Sequence, residues 1–402
     1  MEISELRALL TPEGLELLDE LGPVDQVADV ARMVSRLRAA GHSPDLVSAV
    51  VGQARLRAKA KGKFGDFAAR MLFTRAGLEQ ATRLGVAARH AQRMRRAGIT
   101  RVTDLGCGIG GDSLAFAGAG LDVVAVDADE VTAAIAAYNL APFGETAVVT
   151  HGTAEAHAPL DGDDTQAIWM DPARRTAGHS ETRRVSSDDY SPPLDWAFDV
   201  ASRTPTGIKL GPGHDRDALP ADAEAQWVSA EGSVVELVLW TGVLAREGVR
   251  RAALVIRGER SHELTAGADA EDAPVRELGA FLHEPDGAVI RARLIGDVAR
   301  SLDAGMLDER IAYLTSDAAV TSPFVQSFRV RETMPANPKA ISGVLKAHGI
   351  GSLEIKKRGM DVDPAAFRKK LSLRGDAAAT LILTRVGGQR RAILADRVPA
   401  AE

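Results

Sequence analysis

Between Arg101 and Asp129 the chain reads RVTDLGCGIGGDSLAFAGAGLDVVAVDAD. A short apolar run leads into Gly106, Gly108, Gly110 and Gly111, a helical pattern follows, and a second apolar run stops on Asp127. Glycine tolerates positive φ and lets backbone N–H groups come close to a ligand. The start of the following helix adds further unpaired donors. A dinucleotide site spaces its glycines GxGxxG and seats a pyrophosphate there. Here Asp104 stands two residues before the first glycine, where a carboxylate repels pyrophosphate but can accept a hydrogen bond from an ammonium group. Asp127, at the end of the second strand, suits a two-point grip on ribose hydroxyls. The pattern therefore points away from a dinucleotide and toward a ligand with an ammonium group and a ribose. Cys107 reads as a small packed residue of the loop, and Asp112 as a first-turn acid of the helix.

A second cluster lies at QAIWMDPARR, where a strand is expected to deliver Asp171, Pro172, Ala173, Arg174 and Arg175 to the carboxyl edge of a sheet. Open α/β sheets bind ligands at that edge. A side-chain oxygen and the proline carbonyl can together accept the two hydrogens of an amino group and aim its lone pair. Catalysis of this kind rests on positioning and polar complementarity rather than on a covalent intermediate. A long polar loop follows, with His179, Arg183, Arg184 and then Tyr190-Ser191-Pro192-Pro193; a loop of that length usually lids or binds. Trp169, Tyr190 and Trp196 are candidates to stack on a base, His179 reads as a surface histidine, and Lys209 in GIKLGPG is placed to meet a phosphate.

The elements that must hold these residues follow from periodicity. Residues 1–95 show apolar positions at three and four spacing, as in Val27, Val30, Met33 and Leu37, and read as a helical domain. From 96 to 270 strands and helices alternate, with strands expected at 101–105, 122–126, 146–150, 166–170, 205–210, 233–240 and 251–257 and a helix ending near Tyr138-Asn139-Leu140. Residues 275–402 differ. Helical stretches are expected near 297–313, and a smaller α+β unit at about 325–400 has PAAFRKKLSL helical and a hairpin at Val386-Gly387-Gly388-Gln389.

Composition bounds the function. The chain has 402 residues, 45% of them hydrophobic, and a single cysteine, which excludes a disulfide scaffold or a cysteine-based metal site. The acidic, amphipathic start is unlike a signal peptide, and no apolar run approaches the length of a membrane span. A soluble, cytoplasmic protein with no membrane partner and no metal is expected. Net charge is −6, yet Ala54–Arg101 holds thirteen Lys and Arg against Asp66 and Glu79, a local +11. Lys346–Arg374 adds eight Lys and Arg against three acids. A basic block on an acidic protein suggests a directed polyanion surface, with a solvated helical face as the alternative. Phe64, Phe67 and Phe73 are interleaved with that block and read as core rather than as base-stacking platforms.

The loop DLGCGIGGD (104–112) and AVDAD (125–129) resemble motif I of class I S-adenosylmethionine (SAM)-dependent methyltransferases. MDPARR (170–175) is similar to the Asn/Asp-Pro-Pro-aromatic motif of enzymes that methylate an exocyclic amino group, but has Ala173 and Arg174 in place of the second proline and the aromatic. With DYSPPL (189–194), KLGPG (209–213), EPDGAVIRA (284–292), AYLTSD (312–317) and SPFVQSFRV (322–330), the whole chain resembles bacterial SAM-dependent methyltransferases with a THUMP-like C-terminal domain. LEQAT (78–82) looks like the corresponding segment of the trimethylguanosine-synthase-like group. The resemblance implies a Rossmann-like, seven-stranded doubly wound sheet of five parallel strands and a reversed pair, between an N-terminal helical domain and a small α+β THUMP-like domain. It implies SAM as cofactor, held by Asp104, Gly106, Gly108, Gly110, Asp127, Ala128 and Glu155. Asp171, Pro172 and Arg174 are then the catalytic set, and Arg175, Tyr190, Trp196 and Lys209 the substrate-binding set. The expected substrate is a base nitrogen in structured RNA, tRNA or rRNA. The alternatives are a protein or small-molecule acceptor, or a SAM-retaining RNA-binding protein without catalysis.

Overall fold

The computed structural model describes residues 1–22, 24, 27–158, 164–174 and 189–399. The chain divides into two compact units: residues 1–210, 215–223 and 238–246 in one, residues 211–214, 224–237 and 247–402 in the other.

The first unit opens with helices α1 (Ile3–Leu9), α2 (Pro12–Leu21), α3 (Val27–Ala39), α4 (Pro44–Phe64), α5 (Arg75–Gln80) and α6 (Leu84–Arg96). Thr11, Ser43 and Thr74 cap α2, α4 and α5, each accepting a backbone N–H three residues on, which satisfies donors the helix itself leaves open. Leu6, Leu9, Leu18, Phe64, Leu72 and Phe73 form the core of this layer. Phe64 and Phe73 are thus core residues, as expected, whereas Phe67 stays 59% exposed on a 3₁₀ turn.

Next come β1 (Arg101–Leu105), α7 (Gly111–Gly118), β2 (Asp122–Asp127), α8 (Glu130–Leu140), β3 (Ala147–His151), α9 (Ala154–His157), β4 (Gln166–Met170), a two-residue pair β5 (Ala173–Arg174) and β6 (Tyr190–Ser191), α10 (Leu194–Ala201) and β7 (Thr206–Leu210). Strands β1, β2, β3, β4 and β7 run parallel. They are followed by β8 (Glu224–Ala230), β9 (Ser233–Trp240), β10 (Arg251–Arg257) and β11 (Arg260–Ala266), in the order β3-β2-β1-β4-β7-β9-β8-β10-β11. The sheet has nine strands, not the expected seven. The reversed pair is β8 and β9, joined by Glu231 and Gly232 at positive φ, so 251–257 is an added strand. The signal at 224–230 is masked because Glu224, Gln226 and Ser229 interrupt the apolar run although all seven residues are buried.

The second unit continues with β12 (Phe281–Pro285), α11 (Gly287–Arg291), α12 (Ile295–Ser301), β13 (Gly305–Asp308), β14 (Ile311–Ser316), β15 (Val325–Pro335), α13 (Pro338–Ala347), β16 (Ile350–Lys357), α14 (Pro364–Arg368), β17 (Ala377–Val386) and β18 (Gln389–Arg397). Its seven-stranded sheet runs β13-β14-β12-β15-β18-β17-β16. The hairpin at Gly387-Gly388 forms as expected, with φ of 55° and 77°, the conformation that a two-residue turn between twisted strands requires. Helix near 297–313 is found only to Ser301; the rest is the β13–β14 hairpin. Among the described residues no helix is long and apolar enough to cross a membrane.

Trp169 and Trp240 meet in the core of the first unit with ring centroids 5.7 Å apart, and His90 stacks on Trp169 at 4.4 Å. Trp169 is fully buried and cannot serve as a base-stacking surface, which corrects that expectation. The two rings fit because position 207 has no side chain: a Cβ there would lie 2.7 Å from Trp169 and 2.9 Å from Trp240. Gly207→Ala should therefore destabilise the fold by about 1–3 kcal/mol through overpacking. Denaturant titration checks this, with an unchanged midpoint as the contrary result.

Candidate active site

Strand register assembles the site. Leu105 pairs with Val126 on one side and Met170 on the other, and Met170 pairs with Ile208. One residue further along, the four strands deliver Gly106, Asp127, Asp171 and Lys209 in a row at the carboxyl edge. Gly106, Gly108 and Gly110 adopt φ of 87°, 55° and 83°. A Cβ on Gly106 would lie 3.6 Å from the Asp171 carbonyl oxygen, so the glycine brings the loop against the end of β4. Gly106 and Cys107 both donate their N–H to the Val126 carbonyl, at 2.9 and 3.0 Å. Cys107 is buried and burial pushes its thiol up, in keeping with a packed residue rather than a nucleophile.

Asp127 is half-buried at the end of β2. It accepts from the N–H of Gly108 at 2.9 Å and of Asp129 at 3.0 Å, and burial raises its pKa against those bonds. Ala128 is exposed beside it, and Glu155 is exposed in the first turn of α9. Asp104 sits wholly inside, below the loop. It accepts a 2.5 Å bond from the Ser113 hydroxyl. Burial, and then the negative charges of Asp112 and Asp171, push its pKa up to about 8; Ser113 and Lys209 oppose the rise.

Lys209 does not stand free for a phosphate. Its ammonium pairs with Asp171 at 2.5 Å and donates to Thr82 Oγ1 at 2.9 Å. The Thr82 hydroxyl in turn donates to Asp112 at 2.7 Å, and Asp112 meets Nδ1 of His90 at 2.8 Å. Burial alone would raise the Asp112 pKa, but His90, Lys209 and Thr82 together hold it below the ordinary value. Asp112 is in the first turn of α7, as expected, with a larger role as the hub of this network. Sequence reading missed Thr82 and His90 as site residues. The available signal was a histidine inside the apolar Val86-Ala87-His90-Ala91-Met94 stripe of α6.

Pro172 and Tyr190 are buried and Trp196 is half-buried on α10. Arg175, the side chain of Arg174, and His179, Arg183 and Arg184 lie outside the described residues. Several members of the basic block are structural. Arg57 donates to the Met71 carbonyl and pairs with Asp19, Lys63 bonds the carbonyls of Leu78, Glu79 and Ala81, and Arg93 caps the Leu244 carbonyl beneath Trp240.

Asp104 has a consequence for stability. The folded carboxyl keeps its proton up to about pH 8, whereas an unfolded aspartate releases it near pH 4. Stability from this group is therefore complete at acid pH and falls by up to about 1.4 kcal/mol per pH unit as pH rises between those values. Melting temperatures of wild type and Asp104→Asn from pH 5 to 8 should diverge, the variant losing less on the alkaline side. Parallel profiles would show that Asp104 carries no such proton.

The loop and the acids suit a ligand with an amino-acid end and a ribose: Gly106, Gly108 and Gly110 carry no side chain, Cys107 and Ile109 between them are buried, and Asp127 stands at the edge. Residues 325–397 match the family model described as THUMP domain-like, and residues 2–60 match one described as a domain of unknown function, DUF8688. A protein of Mycobacterium tuberculosis, from strain CDC 1551 / Oshkosh and equally from ATCC 25618 / H37Rv, is 33% identical over 360 residues, 88% of this chain and 95% of its own length; it is named an uncharacterized S-adenosylmethionine-dependent methyltransferase. A crystal structure from Porphyromonas gingivalis W83, described as a methyltransferase, shares the fold at a TM-score of 0.72 and 20% identity, covering 94% of this chain and all of its own. By its fold, its glycine loop and these relatives, the chain belongs to the SAM-dependent methyltransferases, with S-adenosylmethionine as cofactor and a THUMP-like domain at its C-terminus.

Proposed function

We propose that this methyltransferase acts on a ring or exocyclic nitrogen of a base in structured RNA, tRNA or rRNA. The observation that carries the reading is that Asp171-Pro172 ends β4 directly against the glycine loop. An amino group there can donate its hydrogens to the Asp171 carboxylate and the Pro172 carbonyl. Its lone pair is then turned toward the cofactor, which supplies an electrophilic methyl group when bound. Gly106, Gly108 and Gly110 leave room for the cofactor, Asp127 meets the ribose hydroxyls, Asp104 answers the ammonium, and Ala128 and Glu155 flank the adenine. Half-buried Trp196 is the aromatic candidate to line the acceptor base, since Tyr190 is buried at 2% exposure, and Arg174 and Arg175 extend the set. RNA as substrate is supported by the THUMP domain-like match and by the exposed Arg55, Lys59, Lys61, Arg70, Arg75 and Arg83.

A protein or small-molecule acceptor is the second reading. It is favoured by the structural employment of Arg57, Lys63 and Arg93, which leaves less of the basic block for phosphates.

Radiolabel from SAM should pass to bulk RNA and not to protein. Transfer to protein alone supports the second reading, and transfer to neither, with SAM still bound, supports a binding protein without catalysis. Binding to the RNA should weaken with salt by a logarithmic slope of about −0.7 to −0.9 per phosphate contacted; a flat profile counts against a polyanion. Asp171→Ala should keep SAM affinity while lowering turnover by about 10²-fold or more. Normal turnover would reduce Asp171 to a turn residue.

A further inference from the structure

Lys209 is the feature that the acceptor chemistry leaves unexplained. The site is rich in acidic side chains, with Asp104, Asp112, Asp127 and Asp171 around one loop, which suits the positive groups and hydroxyls of the cofactor. The cofactor also carries an α-carboxylate, a group that a cation holds through a charge-assisted contact. Lys209 stands in the row with Gly106 and Asp171, is largely buried, and its charge acts on both Asp104 and Asp112. Other cations gather with it. Lys63 and Arg83 are close enough that burial, together with the charges of Arg83 and Lys209, depresses the Lys63 pKa. Around Lys63 the bonded partners are the carbonyls of Leu78, Glu79 and Ala81. The same segment lies on the first turn of α7, since a Cβ on Gly111 would sit 3.8 Å from that of Ala81. An anion placed here relieves repulsion among the cations.

We propose that Lys209 receives the α-carboxylate of bound SAM, exchanging it for the carboxylate of Asp171. Thr82, braced by Asp112, steadies the ammonium through the exchange. Asp171 is the more exposed partner of the pair, at 36% against 11% for Lys209, so it is the one that can turn away. Cofactor loading then releases Asp171 to the acceptor amino group, which makes the cofactor the first ligand to bind. The inference rests on the glycine loop as the cofactor site and not on the identity of the acceptor.

The test is calorimetry on the full chain with two probes, SAM and decarboxylated SAM, for wild type, Lys209→Met and Lys209→Arg. Wild type should prefer SAM by about tenfold or more, as expected for a charge-assisted contact. Lys209→Met should weaken SAM by about that factor and leave decarboxylated SAM unchanged or bound more tightly. Lys209→Arg, which keeps the charge, should retain the preference and control for folding. Equal losses for both probes, or no loss for either, would overturn the proposal. Failure of wild type to bind SAM at all would instead overturn the reading of the loop.

Discussion

The parallel register of β2, β1, β4 and β7 is the constraint on which the site depends. Because Leu105, Val126, Met170 and Ile208 share one level of the sheet, the next residue of each strand emerges on one line. A slip of one residue would reverse the face of every side chain on the strand, sending Trp169 out of the core and Asp171 away from the loop. Packing enforces the register. Trp169 is locked between His90, Phe116 and Trp240, and Gly207 makes the space for it. The core cluster and the polar row are therefore two consequences of the same alignment.

Around that row the protein keeps carboxylates in places where burial opposes their charge. Asp112 remains low because His90, Lys209 and Thr82 surround it, whereas Asp104, with one hydroxyl bond and acidic neighbours, is driven up. Two buried aspartates eight residues apart are thus pushed in opposite directions. Strain of this kind, held in place by the surrounding fold, is what a ligand carrying positive charge can relieve. The N-terminal helices take part directly: Thr82 precedes α6, His90 lies on it, and Lys63 at the end of α4 fixes the segment between.

Much of the architecture was legible in the chain. The strands β1 to β4, the helix ending at Leu140 and the Gly387-Gly388 hairpin follow from local patterns of apolar residues, glycines and caps, whereas the THUMP-like tail was legible through its resemblance to a known domain. Strand β8 was not legible, because its buried polar residues have partners far along the chain, such as Ser229 with Asp286. Trp169 illustrates the opposite failure. An aromatic next to Asp-Pro looks like a stacking platform until the alternation of β4 turns it to the core side.

Sequence by itself determined the glycine loop, the two acids that flank it and the Asp-Pro at the end of β4, since each depends on residues close together in the chain and on conformations only glycine or proline favours. Tertiary structure alone decided what those acids do. Protonation depends on burial and on groups brought from elsewhere: Lys209 from β7, Thr82 from the segment between α5 and α6, and His90 from α6. Those neighbours are separated by up to 127 positions, and only the packed sheet sets them within hydrogen-bonding distance.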